Sequence, residues 1–255
     1  MKIATKSQKS IIVIPARMQS TRLPQKMMLA KTGKPLIQHT YEAACRAELP
    51  ADVIVATDHQ TIFDAVVAFD GKVQMTDENA QSGTDRVAEV ARKFPDVDII
   101  ANVQGDEPEI SANAIDLAIR TLHEDSDAVM STLATPIRNR EKIEDPACVK
   151  VVFDDEMNAM YFSRSVIPHP REGFEIYLDD RQNHFFQHIG LYCYRRSFLD
   201  QITTLPVSSL ETIENLEQLR VLQNGFRIKV AIVDEPTKGI DTEKDYEAFV
   251  KRCGY

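Results

Sequence analysis

Short apolar runs alternate along the chain with stretches in which apolar residues recur every three or four positions. The runs predict strands and the stretches predict helices. Ile11–Ile14 is a strand that Pro15 ends, and a polar loop follows. Leu36–Ala47 reads as a helix and Asp52–Ala56 as a second strand, closing on Thr57-Asp58. Asp58 is the expected cap of a helix over about 59–69, which Gly71 stops. Lys72–Met75 is a strand and Thr84–Lys93 a helix. Asp98–Val103 reads as a buried strand of the kind expected at a sheet centre. Ala112–His123 is helical and Ala128–Ala134 extended.

The second half is richer in strands at first. Val149–Phe153, Ala159–Phe162 and Phe186–Tyr194 are apolar or alternating. Pro168–His184 reads as a long surface loop. Leu210–Leu222 is a strongly amphipathic helix that Gly225 ends, Phe226–Val233 is the last strand, and Thr242–Lys251 is the last helix. Strands alternating with helices predict an α/β fold, a three-layer, doubly wound, mostly parallel sheet. With no internal repeat or linker, 1–10 reads as a polar N-terminal extension and 11–255 as one domain. Residues 155–195 are an excursion available for an interface.

Composition narrows the function. The 255 residues are 43% hydrophobic and carry a net charge of −9, which argues against a nucleic-acid partner. The charge is uneven. Eight basic residues precede the first acidic one, Glu42, and residues 42–255 hold 22 basic against 39 acidic side chains, a net of −17. One cationic corner on an acidic protein suggests a local anion site. No apolar run approaches a membrane span, and the start MKIATKSQKS has no apolar segment of a leader, so a cytosolic protein without a membrane partner is expected. Cys45, Cys148, Cys193 and Cys253 lack metal-site spacing and read as reduced structural thiols.

Four motifs carry candidate chemistry. In Ile14-Pro15-Ala16-Arg17 through Ser20-Thr21-Arg22-Leu23-Pro24-Gln25-Lys26, three cations and two hydroxyls follow a strand and precede a helix. Ligand phosphates sit at such places in doubly wound sheets. Arg17 and Arg22 offer bidentate forks and Lys26 a point charge, a set suited to a triphosphate. In Asn102-Val103-Gln104-Gly105-Asp106-Glu107-Pro108, a buried strand delivers Asp106 to the same edge, either as a turn residue or as a Mg²⁺ ligand. In Gly239-Ile240-Asp241-Thr242, Asp241 is either the cap of the last helix or a site residue, and Thr242 is able to cap instead. In Ser82-Gly83-Thr84-Asp85-Arg86, the helix start and Arg86 suit an anion, or Arg86 pairs with Asp85 at the surface.

Ten stretches, in order, resemble the CMP-Kdo synthetases (3-deoxy-manno-octulosonate cytidylyltransferases): IPARMQSTRLPQK, GKPLIQH, VATD, SGTDR, NVQGDEP, VKVV, YFSR, IGLYCYRR, LEQLRVLQNG and GIDT. The resemblance implies a nucleotide-diphospho-sugar transferase fold and a homodimer. It implies that CTP and an acidic sugar, Kdo, give CMP-Kdo and pyrophosphate for lipopolysaccharide synthesis. It implies that Arg17, Arg22 and Lys26 hold the CTP phosphates, and that Gln104 and the loop near Arg86 lie by nucleotide and sugar. Asp106 and Asp241 would hold Mg²⁺, and Arg17, Lys26, Asp106 and Asp241 would form the catalytic set. Arg164, His188, Tyr192, Glu217 and Gln218 would face the sugar. Read from its strand alone, His188 is as readily a core residue; Tyr192, four positions on, shares its face. Glu217 and Gln218 are neighbours on a helix and do not share one direction. The chain departs from the family's Gly-Lys-Pro at Gln25-Lys26-Met27, and from its Pro-x-Asp-Arg at Pro168-His169-Pro170-Arg171.

The chemistry so implied is attack of the sugar's anomeric hydroxyl on the α-phosphorus of CTP. Such a transfer needs positioning and charge stabilisation. The sequence offers no Ser-His-Asp or Cys-His pairing and no evident general base. The competing expectations are a cytidylyltransferase for another acidic sugar, such as 8-amino Kdo or sialate, and a nucleotide-binding regulator without turnover.

Overall fold

A computed structural model describes residues 9–20, 22–80, 82–178, 182–236 and 238–255. Thr21 of the first motif and most of the N-terminal extension lie outside the described residues. The elements in chain order are β1 (Ser10–Ala16), α1 (Leu36–Ala44), β2 (Pro50–Thr57), α2 (Gln60–Ala68), β3 (Val73–Met75), α3 (Gly83–Arg92), β4 (Ile99–Asn102) and α4 (Ala112–Glu124). Then come β5 (Met130–Pro136), α5 (Arg140–Glu144), β6 (Lys150–Phe153), β7 (Ala159–Ser163), α6 (Glu175–Leu178), β8 (Phe186–Arg195) and α7 (Arg196–Ile202). The last are α8 (Ser209–Glu214), α9 (Gln218–Gln223), β9 (Ile228–Ile232) and α10 (Glu243–Arg252).

All seven residues of β1 are buried, because the strand has helices on both faces. Side chains alternate between faces, so Ile12 and Ile14 enter one apolar cluster while Ile11 and Val13 enter another. α1, α2 and α4 close the first cluster, and α3, α7 and α9 the second. These are the three layers. The strand order is β3-β2-β1-β4-β8-β5-β9. β1 pairs in parallel with β2 and β4, β2 with β3, and β5 with β9, whereas β8 runs antiparallel between β4 and β5. The last strand of the predicted 155–195 excursion is therefore part of the sheet. The β6–β7 hairpin branches off the main strand order, pairing with β8 through Lys150 and Gln187. A separate apolar cluster, including Ile143, Cys148 and Phe185, underlies the segment that follows β5.

Several expectations are corrected. Pro15 does not end β1. The strand continues to Ala16, paired with β2, while its pairing with β4 stops at Val13. Pro15 therefore has a neighbour on one side only, where a missing N–H costs little. α1 ends at Ala44. Asp58 does not cap α2; His59 does, its Nδ1 accepting from Thr61 N at 3.2 Å. The predicted helix Leu210–Leu222 is two helices, broken at Asn215 in the left-handed region, φ 53°. The Pro168–His184 loop contains the short α6, and α5 and α7 are further short helices between predicted elements. The four cysteines are unpaired.

Candidate active site

The carboxyl ends of β1 and β4 lie side by side, so the segments leaving them meet. Gly105 makes the meeting close: a Cβ there would stand 3.0 Å from the Pro15 carbonyl and 3.1 Å from the Met27 sulfur. The Gly105 carbonyl accepts from Thr40 Oγ1 at 2.9 Å. Asp106 is thereby brought against Lys26, whose ammonium contacts its carboxylate directly. A third segment joins them, because Ile240 N donates to the Asp106 carbonyl at 2.8 Å. Lys26 Nζ then donates to the Ile240 carbonyl at 3.1 Å and to Asp241 Oδ1 at 3.4 Å. Arg22 reaches the same Asp241 oxygen at 2.9 Å.

Capping of α10 falls to Thr242, not Asp241. Thr242 Oγ1 accepts from Asp245 N at 3.2 Å, and the Asp245 carboxylate accepts from Thr242 N at 2.9 Å. A bond from the Thr242 hydroxyl to the Asp245 carboxylate at 2.7 Å, with those from the Thr242 and Asp241 N–H groups, holds that carboxyl below its usual range. Asp241 is left to the cations. Gln25 precedes Lys26 in the left-handed conformation, φ 54° and ψ 28°, that a glycine takes without strain. The departure from glycine at this position leaves the turn, and the register of Lys26, in place.

Arg17, Arg22, Lys26, Gln104, Asp106 and Asp241 all line one pocket of about 370 Å³. It adjoins a larger cleft of about 900 Å³ through Arg17, Gln19 and Ser20. Arg17 Nη2 donates to the Ala80 carbonyl at 3.1 Å, across the mouth of this cleft. Burial, and then the neighbouring Arg86, lower the Arg17 pKa from its ordinary value. An anion bound here would relieve that neighbouring charge.

Arg86 is neither a surface partner of Asp85 nor an open anion binder. It is 1% exposed. It donates to Asp58 at 2.5 Å, Thr76 Oγ1 at 2.8 Å and the Asp77 carbonyl at 3.0 Å. Asp85 instead closes the capping box of α3 with Ser82. Arg86 lines the larger cleft as a buried anchor. Asp58 is thus a site residue that sequence reasoning missed; its only signal was its place at a strand end in VATD.

Three of the five sugar-side candidates, His188, Tyr192 and Glu217, form one neighbourhood. The His188 ring lies 5.4 Å from the Tyr192 ring, on the shared face, and 4.8 Å from Phe162. His188 Nε2 is 2.9 Å from Thr132 Oγ1, and burial pushes its pKa down to about 3, so the ring is neutral. Burial, with Tyr194, Glu217 and Glu107 nearby, holds the Tyr192 phenol well above its ordinary value. Glu217 accepts from Thr84 Oγ1 at 3.0 Å, which joins α9 to the start of α3, and burial raises its carboxyl pKa. Gln218 is 4% exposed, and its buried Nε2 has no hydrogen-bond partner among the described residues. Arg164 is bonded to backbone carbonyls. Its guanidinium donates to the carbonyls of Glu214 at 2.8 Å, Pro146 at 3.1 Å and Asn215 at 3.4 Å, bracing the α8–α9 junction. Lys150, also missed, is fully buried and donates to the Asp145, Cys148 and Arg164 carbonyls at 2.9, 2.7 and 2.6 Å. A lysine inside the apolar run Val149–Phe153 was the available signal.

A family model described as cytidylyltransferase matches residues 11–230. The chain belongs to the cytidylyltransferase family. A 3-deoxy-manno-octulosonate cytidylyltransferase of Rhodopirellula baltica is 46% identical over 245 residues, 96% of this chain and 98% of that protein. One of Geotalea daltonii is 47% identical over 244 residues, covering 94% and 96%. A solved structure of CMP:2-keto-3-deoxy-manno-octonic acid synthetase complexed with CTP superposes with a TM-score of 0.89. It is 39% identical, covering 97% of this cytidylyltransferase and 99% of that chain. A cytidylyltransferase of Leptospira borgpetersenii, at 18% identity and a TM-score of 0.64, shares the fold.

Whether a divalent cation suits this cytidylyltransferase is tested by the donors themselves. Asp106 and Asp241 converge on one cationic atom, Lys26 Nζ, although 214 and more residues separate Lys26 from the Ile240-Asp241 pair. Two carboxylates facing one point, beside cations for phosphate, are the donors Mg²⁺ uses when phosphate oxygens and water complete its shell. Among the described residues no group of three or more His, Cys, Asp or Glu side chains gathers to hold a metal without such help.

Proposed function

We propose that this cytidylyltransferase transfers CMP from CTP to the anomeric hydroxyl of Kdo, giving CMP-Kdo and pyrophosphate for lipopolysaccharide synthesis. The observation that carries the reading is the convergence of Arg17, Arg22 and Lys26 with Asp106 and Asp241 in one pocket at the strand ends. Near-full-length relatives bearing that activity's name supply the substrate.

In this reading the cationic pocket and the neighbourhood of His188 divide the substrates' demands. Arg17, Arg22 and Lys26 bind the triphosphate and offset the charge that develops on pyrophosphate as it leaves. Gln104 and the Arg86-anchored loop border the nucleotide. His188, Tyr192, Glu217 and Gln218 orient the sugar. His188, being neutral, does so as a hydrogen-bonding ring and not as a cation. Arg164 supports Glu217 and Gln218 from behind, through the backbone of Glu214 and Asn215. Asp106 and Asp241 would hold Mg²⁺, which when bound neutralises phosphate charge and lowers the pKa of a hydroxyl beside it.

The same reading makes the enzyme a cytoplasmic homodimer. Among the described residues no helix is long and apolar enough to cross a membrane. The exposed apolar side chains Met160 and Ile176, both within 155–195, support a partner subunit there. The deciding experiment is pyrophosphate release with CTP, ATP or GTP against a panel of acidic sugars that includes Kdo, 8-amino Kdo and sialate. CTP with Kdo and Mg²⁺ is expected to give the highest kcat/KM. Comparable turnover with a purine triphosphate would overturn the CMP assignment, and preference for another sugar would move the substrate within the same chemistry.

A further inference from the structure

The ammonium group of Lys26 occupies the point on which the two acidic side chains of the site converge. Lys26 is 9% exposed. Its Nζ contacts the Asp106 carboxylate, the Ile240 carbonyl at 3.1 Å and Asp241 Oδ1 at 3.4 Å. Among the described residues no other cation bridges both carboxylates: Arg22 meets Asp241 alone, and Arg17 donates to the Ala80 carbonyl. Without Lys26, two carboxylates would face each other in a partly buried pocket, which is costly for like charges.

We infer that Lys26 is a tethered counter-ion that keeps a divalent cation out of the Asp106–Asp241 site until a triphosphate arrives. A divalent ion and the ammonium compete for these two carboxylates, because like charges a few ångströms apart repel. A triphosphate changes the balance. Its oxygens compete for the ammonium, and the flexible four-carbon stem lets Nζ swing while the turn at Gln25 stays fixed. The two carboxylates are then free for the metal. Metal and nucleotide are therefore taken up together, and each raises the other's affinity by the same factor, as linkage requires. This rests on the proposed reading of the pocket as a site for a metal and CTP.

The test is Mn²⁺ binding to the nucleotide-free, full-length protein, read from the electron paramagnetic resonance signal of free Mn²⁺. Lys26→Met, which keeps length and removes charge, is expected to bind Mn²⁺ about tenfold more tightly than wild type, or better, the size of one such charge interaction. Lys26→Arg keeps the charge and should stay as weak as wild type. Adding Asp106→Asn to Lys26→Met should abolish the gain. Mn²⁺ should also raise the Tm of Lys26→Met and leave that of wild type unmoved; if the Met variant does not fold, Lys26→Gln serves in its place. A neutral variant that binds Mn²⁺ no more tightly than wild type overturns the counter-ion role. So does a gain that survives Asp106→Asn. The metal reading is judged separately: if Asp106→Asn with CTP takes up Mn²⁺ as well as wild type with CTP does, that reading fails on its own.

Discussion

Asp241 shows how one local bond decides a residue's role. Because Thr242 caps α10, the Asp241 carboxylate is left to Lys26 and Arg22. Asp241→Asn should therefore lower turnover by roughly 10²-fold or more and move the Mg²⁺ dependence to higher concentration. Thermal stability should change little, since Arg22 and Asp241 are 67% and 44% exposed and such pairs contribute about 0–1 kcal/mol. A wild-type magnesium titration curve for this variant would remove Asp241 from the metal site. His188 yields a prediction about stability and pH. Burial holds its native pKa at about 3, below the unfolded value near 6.5. Between those values the unfolded chain binds a proton that the native state does not. Stability from this residue is thus complete above pH 6.5 and is lost as pH falls toward 3. The slope is about 1.4 kcal/mol per pH unit. Urea unfolding between pH 4 and 6 should show His188→Gln losing stability less steeply than wild type, by about one proton.

At the scale of elements, the site depends on breaks as much as on strands. The helical period runs unbroken in the sequence from Leu210 to Leu222, yet Asn215 stops α8 and Glu217 opens α9 beside Thr84. Asn tolerates the left-handed region; a β-branched residue does not. Asn215→Val should cost about 1–2 kcal/mol in equilibrium unfolding and raise KM for the sugar, whereas Asn215→Gly should preserve both. This break was illegible because apolar spacing does not record backbone handedness: after Asn215, Leu216 and Leu219 face the core, whereas before it Ile213 is exposed, although the spacing counts all three alike. The strands and the motifs at their ends were legible, because burial on both faces leaves apolar runs and chemistry gathers where they stop. The exception, Pro15, was misread because only the sheet shows which side of β1 lacks a neighbour there. Pairings such as Asp58 with Arg86, or Lys26 between two aspartates, depend on which strands become neighbours, and no local pattern encodes that.

At the scale of the molecule, the two apolar layers hold the sheet, but the larger cleft keeps its shape through a polar tie. Arg86 of α3 fastens the end of β2, through Asp58, to the segment after β3, through Thr76 and Asp77. The guanidinium is too deep to be rehydrated when its partner is lost. Asp58→Ala should therefore destabilise the fold by about 3–5 kcal/mol, seen as a lower urea midpoint, and KM for CTP should rise as the cleft floor loosens. An unchanged midpoint would mean that Arg86 finds solvent or another acceptor.

The reversed strand β8 has a consequence in time. β1 to β4 pair among themselves, and that part of the sheet is complete once residue 102 has left the ribosome. β5 is different: among the described residues it pairs only with β8 and β9, both of which are made later. From its synthesis until Phe186–Arg195 emerges, β5 and the neighbouring edge of β4 wait as open strand edges. Pairings between segments so far apart in sequence are slow, and waiting edges invite association with other chains. The nascent protein is thus most exposed to misassembly between residues 136 and 195; the strand that carries His188 and Tyr192 then covers β4 and one edge of β5, and the other edge of β5 waits for Ile228–Ile232.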